Sequence, residues 1–275
     1  MPPISSENLG HFKVLAFDLD GTLAESKQPM SARIAGLLKK LIRFHEIAII
    51  SGADWPQFEK QVLPILGGVD ARFSFYPTCG AKVYKAGYAT DGREQPGWYE
   101  RSGEAFELNQ QQTRWIEEAL ENSISRWEHK PAGKIYGPQI ENRGTQITFS
   151  ALGQQAPPDV KKDWDPTFEK RKHLKNLLEF RLAADWGPSP LPFEIRMGGA
   201  TSLDITLKGI DKGFAIRRIA GLGWGSRKEH EILFVGDALE EGDNDCAVKQ
   251  TGCFWLQTSG VEETERILER ILVST

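Results

Sequence analysis

The chain has 275 residues, of which 40% are hydrophobic and 26% charged, with a formal net charge of −4. That is the make-up of an ordinary globular protein of one large or two modest domains, with no global basic field to draw in nucleic acid or an acidic membrane. Cys79, Cys246 and Cys253 have no CxxC or metal-like spacing, no apolar run approaches a membrane span, and residues 1–10 lack a leader pattern, so a cytoplasmic chain with reduced thiols is expected.

In chain order, Phe12 to Phe17 reads as a strand. Ser31 then caps a helix whose Ile34, Leu37, Leu38, Leu41 and Ile42 follow helical spacing. Ile47 to Ile50 is a second strand, and a helix from about Asp54 to Leu63 tolerates Pro56 in its first turn. Phe73 to Tyr76 and Lys82 to Tyr84 read as further strands, and the alternation points to a parallel sheet wound with helices. After Gly87 the texture changes. A polar stretch leads to a helix around Gln111 to Asn122, then paired strands at Ile140 and at Ile147 to Ser150. Asp165-Pro166 reads as cap and first position of a long helix through about Ala184, followed by strands at Phe193 to Arg196 and Ser202 to Ile205. Alternation resumes with a helix from Asp211-Lys212-Gly213 through Ala220. Strands at Ile232 to Val235 and Cys253 to Leu256 follow, with a final helix over Val261 to Leu272. The expected fold is therefore α/β: a doubly wound, mostly parallel sheet formed by residues 1–87 and 207–275, with an inserted α+β cap, or lid, at 88–206.

The chemistry concentrates after the first strand, in Asp18-Leu19-Asp20-Gly21-Thr22-Leu23. If the strand stays extended through Asp20, its two carboxylates share one face. One can then attack an electrophile while the other moves protons. Close carboxylates also repel and call for a cation; Mg2+ is the usual one, since it accepts carboxylate and phosphate oxygens together. Asp-Gly alone is ordinary turn chemistry. A second acidic cluster after another apolar run, Val235-Gly236-Asp237 and then Asp243-Asn244-Asp245, counts against so bland a reading.

With these motifs in this order the chain resembles the haloacid dehalogenase superfamily of aspartate-nucleophile phosphotransferases. The resemblance implies that Asp18 is the nucleophile and that Asp20 is the general acid/base, its backbone carbonyl also binding metal. Ser51, in Ile49-Ile50-Ser51-Gly52, matches the second motif and Lys212 the third; both would hold phosphoryl oxygens. Asp237, Asn244 and Asp245 would complete a Mg2+ shell with Asp18 and Asp20, whereas Asp243 is also readable as a surface acid. The insert looks like the lid of the α-phosphomannomutase branch. Arg143, Ser202 and Asp204 match its hexose-phosphate ligands, with a surface ion pair as the plainer reading of Arg143. This chain carries Gln154, Lys161 and Lys27 at approximately the places where the branch has further arginines. Losing bidentate forks weakens a distal phosphate site. Two activities are thus left open, a phosphomannomutase-like transfer on a hexose phosphate and a sugar-phosphate phosphatase; a sugar-phosphate-binding regulator without chemistry is a third reading. A homodimer through the cap is implied by the resemblance alone.

Overall fold

The computed structural model describes residues 9–275 apart from 69, 88–96, 101–105, 188, 223–226 and 242. The chain forms two compact units, one of residues up to Ala105 together with Ile210–Thr275, the other of Phe106–Gly209.

The first unit is built on a seven-stranded sheet ordered β11-β10-β1-β2-β3-β4-β5. Its strands are β1 (Val14–Asp18), β2 (Glu46–Ile50), β3 (Phe73–Tyr76), β4 (Tyr84–Gly87), β5 (Gly97–Glu100), β10 (Ile232–Gly236) and β11 (Phe254–Gln257). From β11 to β3 neighbours run parallel; β4 and β5 add an antiparallel hairpin at one edge. β1, β2 and β10 read as nearly continuous apolar runs because both of their faces are covered. On one face, Leu15, Phe17, Ile47, Ile49, Leu233 and Val235 pack against α1 (Ala32–Leu41), α2 (Trp55–Gln61), α3 (Leu63–Leu66) and α8 (Val261–Val273). On the other, Val14, Ala16, Ala48, Ile50, Ile232 and Phe234 meet Ala215, Ile216 and Ile219 of α7 (Lys212–Leu222). Ser31 caps α1 by accepting from Ile34 N at 3.1 Å, and Asp54 caps α2, with Pro56 in the first turn.

The expected edge of the insert at 87/88 falls inside the β4–β5 hairpin. Gly97-Trp98-Tyr99-Glu100 adds its strand to the core sheet, and Trp98 packs edge-on against Phe75 at 4.7 Å. The second unit therefore starts later, at Phe106, and ends at Gly209. It consists of a four-stranded antiparallel sheet, β6-β7-β9-β8, with helices on one face. Its strands are β6 (Ile140–Asn142), β7 (Gln146–Ser150), β8 (Phe193–Gly198) and β9 (Ser202–Leu207). Ile147, Phe149, Leu203, Ile205, Phe193 and Ile195 bury against α4 (Gln110–Arg126) and α6 (Glu169–Trp186); a short helix, α5 (Pro158–Lys162), lies between β7 and α6.

The long helix α6 does not begin at Asp165-Pro166 as the sequence suggests. It starts at Glu169, after Phe168 in the left-handed region at φ 62°. Asp165 is drawn elsewhere. Its carboxylate accepts from Lys170 N at 3.1 Å and takes Arg171 Nε at 2.8 Å, a fully buried pair. Arg171 in turn donates to the carbonyls of Gly198 and Gly199 at the β8–β9 turn.

Candidate active site

The sheet order puts a switch point at β1. From it the chain builds outward through β2 and β3, then returns to build β10 and β11 on the other side. Open α/β sheets bind ligands beyond the carboxyl ends of the strands at such a point. Register places three candidate residues there. Asp18 pairs with Ile50, so Ser51 is one residue beyond on β2; Phe17 pairs with Val235, so Asp237 lies just past the end of β10.

The structure brings Asp18, Asp237, Asp245 and Lys212 together. Lys212, the first residue of α7, is 1% exposed; its ammonium donates to Asp18 Oδ1 at 2.5 Å, to Asp245 Oδ1, and at 3.5 Å to Asn244 Oδ1. Asp211 holds the start of this helix by accepting from Phe214 N at 2.7 Å. Thr22 ties the two carboxylate strands, its hydroxyl lying 3.5 Å from Asp18 Oδ2 and 3.3 Å from Asp237 Oδ1. Two glycines make room. Gly21 has φ +87°, and a Cβ there would stand 2.5 Å from Asp237 Oδ2; a Cβ at Gly236 would overlap Asp245 Oδ2.

Burial sets the electrostatics. It pushes the Asp18 carboxyl up to about 6; Lys212 works against it and Asp237 with it. Burial likewise pushes Asp245 up to about 7, opposed by Lys212, and raises Asp237, where Asp245 adds its repulsion. Burial pulls the Lys212 ammonium down, but Asp18 and Asp245 outweigh it and hold the group well above its ordinary value. Asp18, Asp237 and Asp245 each offer a carboxylate oxygen within 4.8 Å of the others. Three acids against one ammonium leave uncompensated negative charge in a dry place, and an all-oxygen donor set suits a hard divalent cation. The residues fit such an ion. Asn244 is exposed and reaches Lys212, and Asp243 is an exposed acid.

Asp20 departs from the sequence expectation in one respect. The strand ends at Asp18, Leu19 bends, and Asp20 forms only an isolated bridge with Ala24, so its direction is not set by a continuing strand. Two donors set it instead: Lys27 N at 2.8 Å and Gln61 Nε2 at 3.1 Å, both on Asp20 Oδ1. Lys27 thus reaches this site through its backbone, from the left-handed region at φ 60°. Gln61 is buried, and its amide is oriented by Gln57 at 2.8 Å and by the Gln28 carbonyl at 2.8 Å. Ser51 is buried, and its Oγ accepts from Ala53 N at 3.0 Å, which leaves its O–H to donate outward.

The remaining expected residues belong to the second unit, where Ser202 and Asp204 alternate along β9 with Leu203 and Ile205 of the helix-packed face. Asp204 of β9 is paired in register with Thr148, whose hydroxyl donates to Asp204 Oδ1 at 2.7 Å; Gln146 Nε2 donates to that hydroxyl at 2.8 Å. Burial raises the Asp204 carboxyl, while the nearby Arg143 and the Thr148 hydroxyl hold it back. Ser202 stands two residues before Asp204, opposite Ser150. Arg143 follows β6 and is paired with Glu141 at 2.6 Å, so the ion-pair reading of this arginine describes its contact, while its field also reaches Asp204. Gln154 and Lys161 are neighbours, with Lys161 Nζ 3.5 Å from the Gln154 carbonyl. Thr22, Gln61, Gln146 and Thr148 were not among the expected residues. Gln146, Thr148 and Ser150 alternating with Ile147 and Phe149 carried a readable period-two signal for a polar sheet face.

The sequence model of the eukaryotic phosphomannomutases matches residues 117–274, more than half of the chain. The chain belongs to the eukaryotic phosphomannomutase family. The matched span holds Arg143, Ser202, Asp204, Lys212 and Asp237, whereas the Asp18–Thr22 motif precedes it. The chain is 28% identical over 235 residues to a phosphomannomutase of Encephalitozoon cuniculi, covering 84% of this chain and 82% of that one. It is 24% identical over 238 residues to a Saccharomyces cerevisiae phosphomannomutase, covering 84% and 83%. Among solved structures, Plasmodium falciparum IMP-nucleotidase aligns with TM-score 0.70 at 15% identity, covering 98% of this chain and 70% of its own. Aspergillus fumigatus trehalose-6-phosphate phosphatase aligns with TM-score 0.53 at 18% identity, covering 100% and 99%. These two likenesses concern the fold, and they agree with a haloacid dehalogenase core carrying an added antiparallel sheet. This member of the phosphomannomutase family is an enzyme of the haloacid dehalogenase phosphotransferase kind.

Proposed function

We propose that this protein transfers a phosphoryl group on a hexose phosphate, interconverting mannose 6-phosphate and mannose 1-phosphate, through an aspartyl-phosphate formed on Asp18. The observation that carries the reading is the buried Asp18–Lys212 pair at the sheet's switch point, with Asp237 and Asp245 beside it. An Asp18 oxygen attacks phosphorus while Asp20, held by Lys27 N and Gln61, gives its proton to the departing sugar oxygen. In the second half, the incoming sugar hydroxyl returns that proton to Asp20 and takes the phosphoryl group from Asp18. With its carboxyl at about 6, Asp18 is mostly ionised at neutral pH, and Lys212 stabilises that charge. The Ser51 hydroxyl and the Lys212 ammonium offset charge on the transferring oxygens. Mg2+ is the fitting ion for Asp18, the Asp20 carbonyl, Asp237 and Asp245, with Asn244 in support, and when bound it would supply charge neutralisation at the phosphoryl group. In the second unit, Arg143, Ser202 and Asp204, with Gln154 and Lys161 near them in sequence, are the groups we assign to the sugar and its distal phosphate. Cytoplasmic location and a homodimer through the second unit belong to the same reading; sedimentation as a strict monomer would remove the dimer.

The test is an assay of mannose 1-phosphate with catalytic hexose 1,6-bisphosphate, following mannose 6-phosphate and inorganic phosphate together. Conversion that outruns phosphate release, and that is abolished in Asp18→Asn, supports the mutase. One observation favours a sugar-phosphate phosphatase instead. Gln154 and Lys161 replace two guanidinium forks, so a second phosphate is held less firmly. Phosphate release without conversion would establish that second reading.

A further inference from the structure

A cleft of about 520 Å³ opens at the edge of the core sheet where the parallel strands begin. Its wall is assembled from four separate segments. Lys13 precedes β1, Arg43 to Glu46 lead into β2, Arg72 precedes β3, and Arg227 lies on the approach to β10. This is the edge opposite Asp18, which stands five residues beyond Lys13, about 16 Å along an extended strand. Four cationic side chains face one acid, Glu46, which Arg227 already engages at 2.6 Å.

The cleft is a built one. Arg72 donates from Nη1 to the Ile42 and Arg43 carbonyls, each at 2.8 Å, and so fixes the turn that presents Arg43 and Phe44. Lys13 and Arg43 are exposed, with the Glu231 carboxylate close enough to feel the Lys13 charge. Phe44 leaves 57% of its surface in water, although it is an apolar ring. Beneath it His45 is 2% exposed. Its Nδ1 lies 2.7 Å from the Phe12 carbonyl, which can only accept, so the proton is on Nδ1 and Nε2 carries a lone pair. That lone pair is buried without a partner, and so is the Nε–H of Arg227. Both atoms lie behind the wall and out of a ligand's reach, so what the cleft presents is its cations and the Phe44 ring.

We propose that this cleft is a second ligand site, which takes a phosphate ester bearing an aromatic group. The phosphate lies among Lys13, Arg43 and Arg72, where guanidinium forks bind it in two-point fashion. The ring covers Phe44. A nucleoside monophosphate has both parts, and the volume falls within the roughly 300–1,000 Å³ usual for small-ligand sites.

The experiment is calorimetric titration of the full chain with AMP, in parallel with Asp18→Asn, Arg43→Glu and Phe44→Ala. Arg43 and Phe44 are exposed, so both variants should fold as the parent does. AMP is expected to bind the parent and Asp18→Asn alike, and at least tenfold more weakly to Arg43→Glu and Phe44→Ala. Adenosine and ribose 5-phosphate, which each lack one half of the ligand, should also bind at least tenfold more weakly than AMP. Heat that survives Arg43→Glu, or that disappears in Asp18→Asn, would put the ligand elsewhere and overturn the proposal. Ribose 5-phosphate binding as tightly as AMP, or no heat with AMP at about 1 mM, overturns it as well.

Discussion

Replacing Lys212 by Met removes the only ammonium within hydrogen-bond reach of Asp18 and Asp245 among the described residues, while nearly keeping its volume. Both partners are buried, and burial already pushes them to about 6 and about 7 with the lysine present. Breaking a buried pair by deleting one member costs about 3–5 kcal/mol, because the other charge is stranded. For a chain of this size each kcal/mol shifts Tm by about 2–4 °C, so a fall of about 6–20 °C is expected at pH 7. The measurement is thermal unfolding of parent and Lys212→Met in chelator, so that no divalent ion substitutes for the ammonium. The sign with pH is fixed. Asp18 and Asp245 have folded values above the ordinary 3.8, and losing Lys212 raises them further. Their ionisation therefore opposes folding above those values, and the deficit of Lys212→Met should shrink as pH falls from 7 towards 5. A loss under about 1 kcal/mol at pH 7, or one that grows on acidification, would refute the reasoning.

Gln61→Leu frees Asp20 Oδ1 from its amide donor and strands the Gln28 carbonyl; turnover is expected to fall about tenfold with little change in KM, as steady-state rates on mannose 1-phosphate would record. Thr148→Val deprives the Asp204 carboxylate and the Gln146 amide of a shared partner, a loss of about 1–3 kcal/mol seen in denaturant unfolding, with KM raised rather than kcat lowered. Burial holds His45 below its ordinary 6.5, so the unfolded chain takes up a proton first and stability should decline as pH falls below 6.5, with a slope that His45→Gln abolishes.

Much of the core was legible because its signals are local. β1, β2 and β10 announce themselves as apolar runs closed by a turn, and Ser31 and Asp54 cap α1 and α2 as their side chains imply. Elements decided by distant partners were not. β5 is four residues in a polar context, and it exists because β4 offers it an edge and Phe75 a surface for Trp98. Asp165 carries the signature of a helix cap, but Arg171 claims it and α6 starts later. The site divides in the same way. The acids at 18, 20 and 237 stand at or just past strand ends and could be named from the sequence, whereas the hold of Gln61 on Asp20 and of Thr22 on both carboxylates arises only when α2 and β10 pack beside β1. The cleft at the strand beginnings draws on four stretches of chain and has no motif at all.

The position of β1 bears on how the protein is made. It is flanked by β2, from the early part of the chain, and by β10, which is more than two hundred residues away. During synthesis the strand bearing Asp18 therefore waits with one flank bare until residue 236 has emerged, after the whole second unit has been translated. A bare, apolar central strand is the surface on which nascent chains aggregate, so a chaperone should hold this protein until its last quarter arrives.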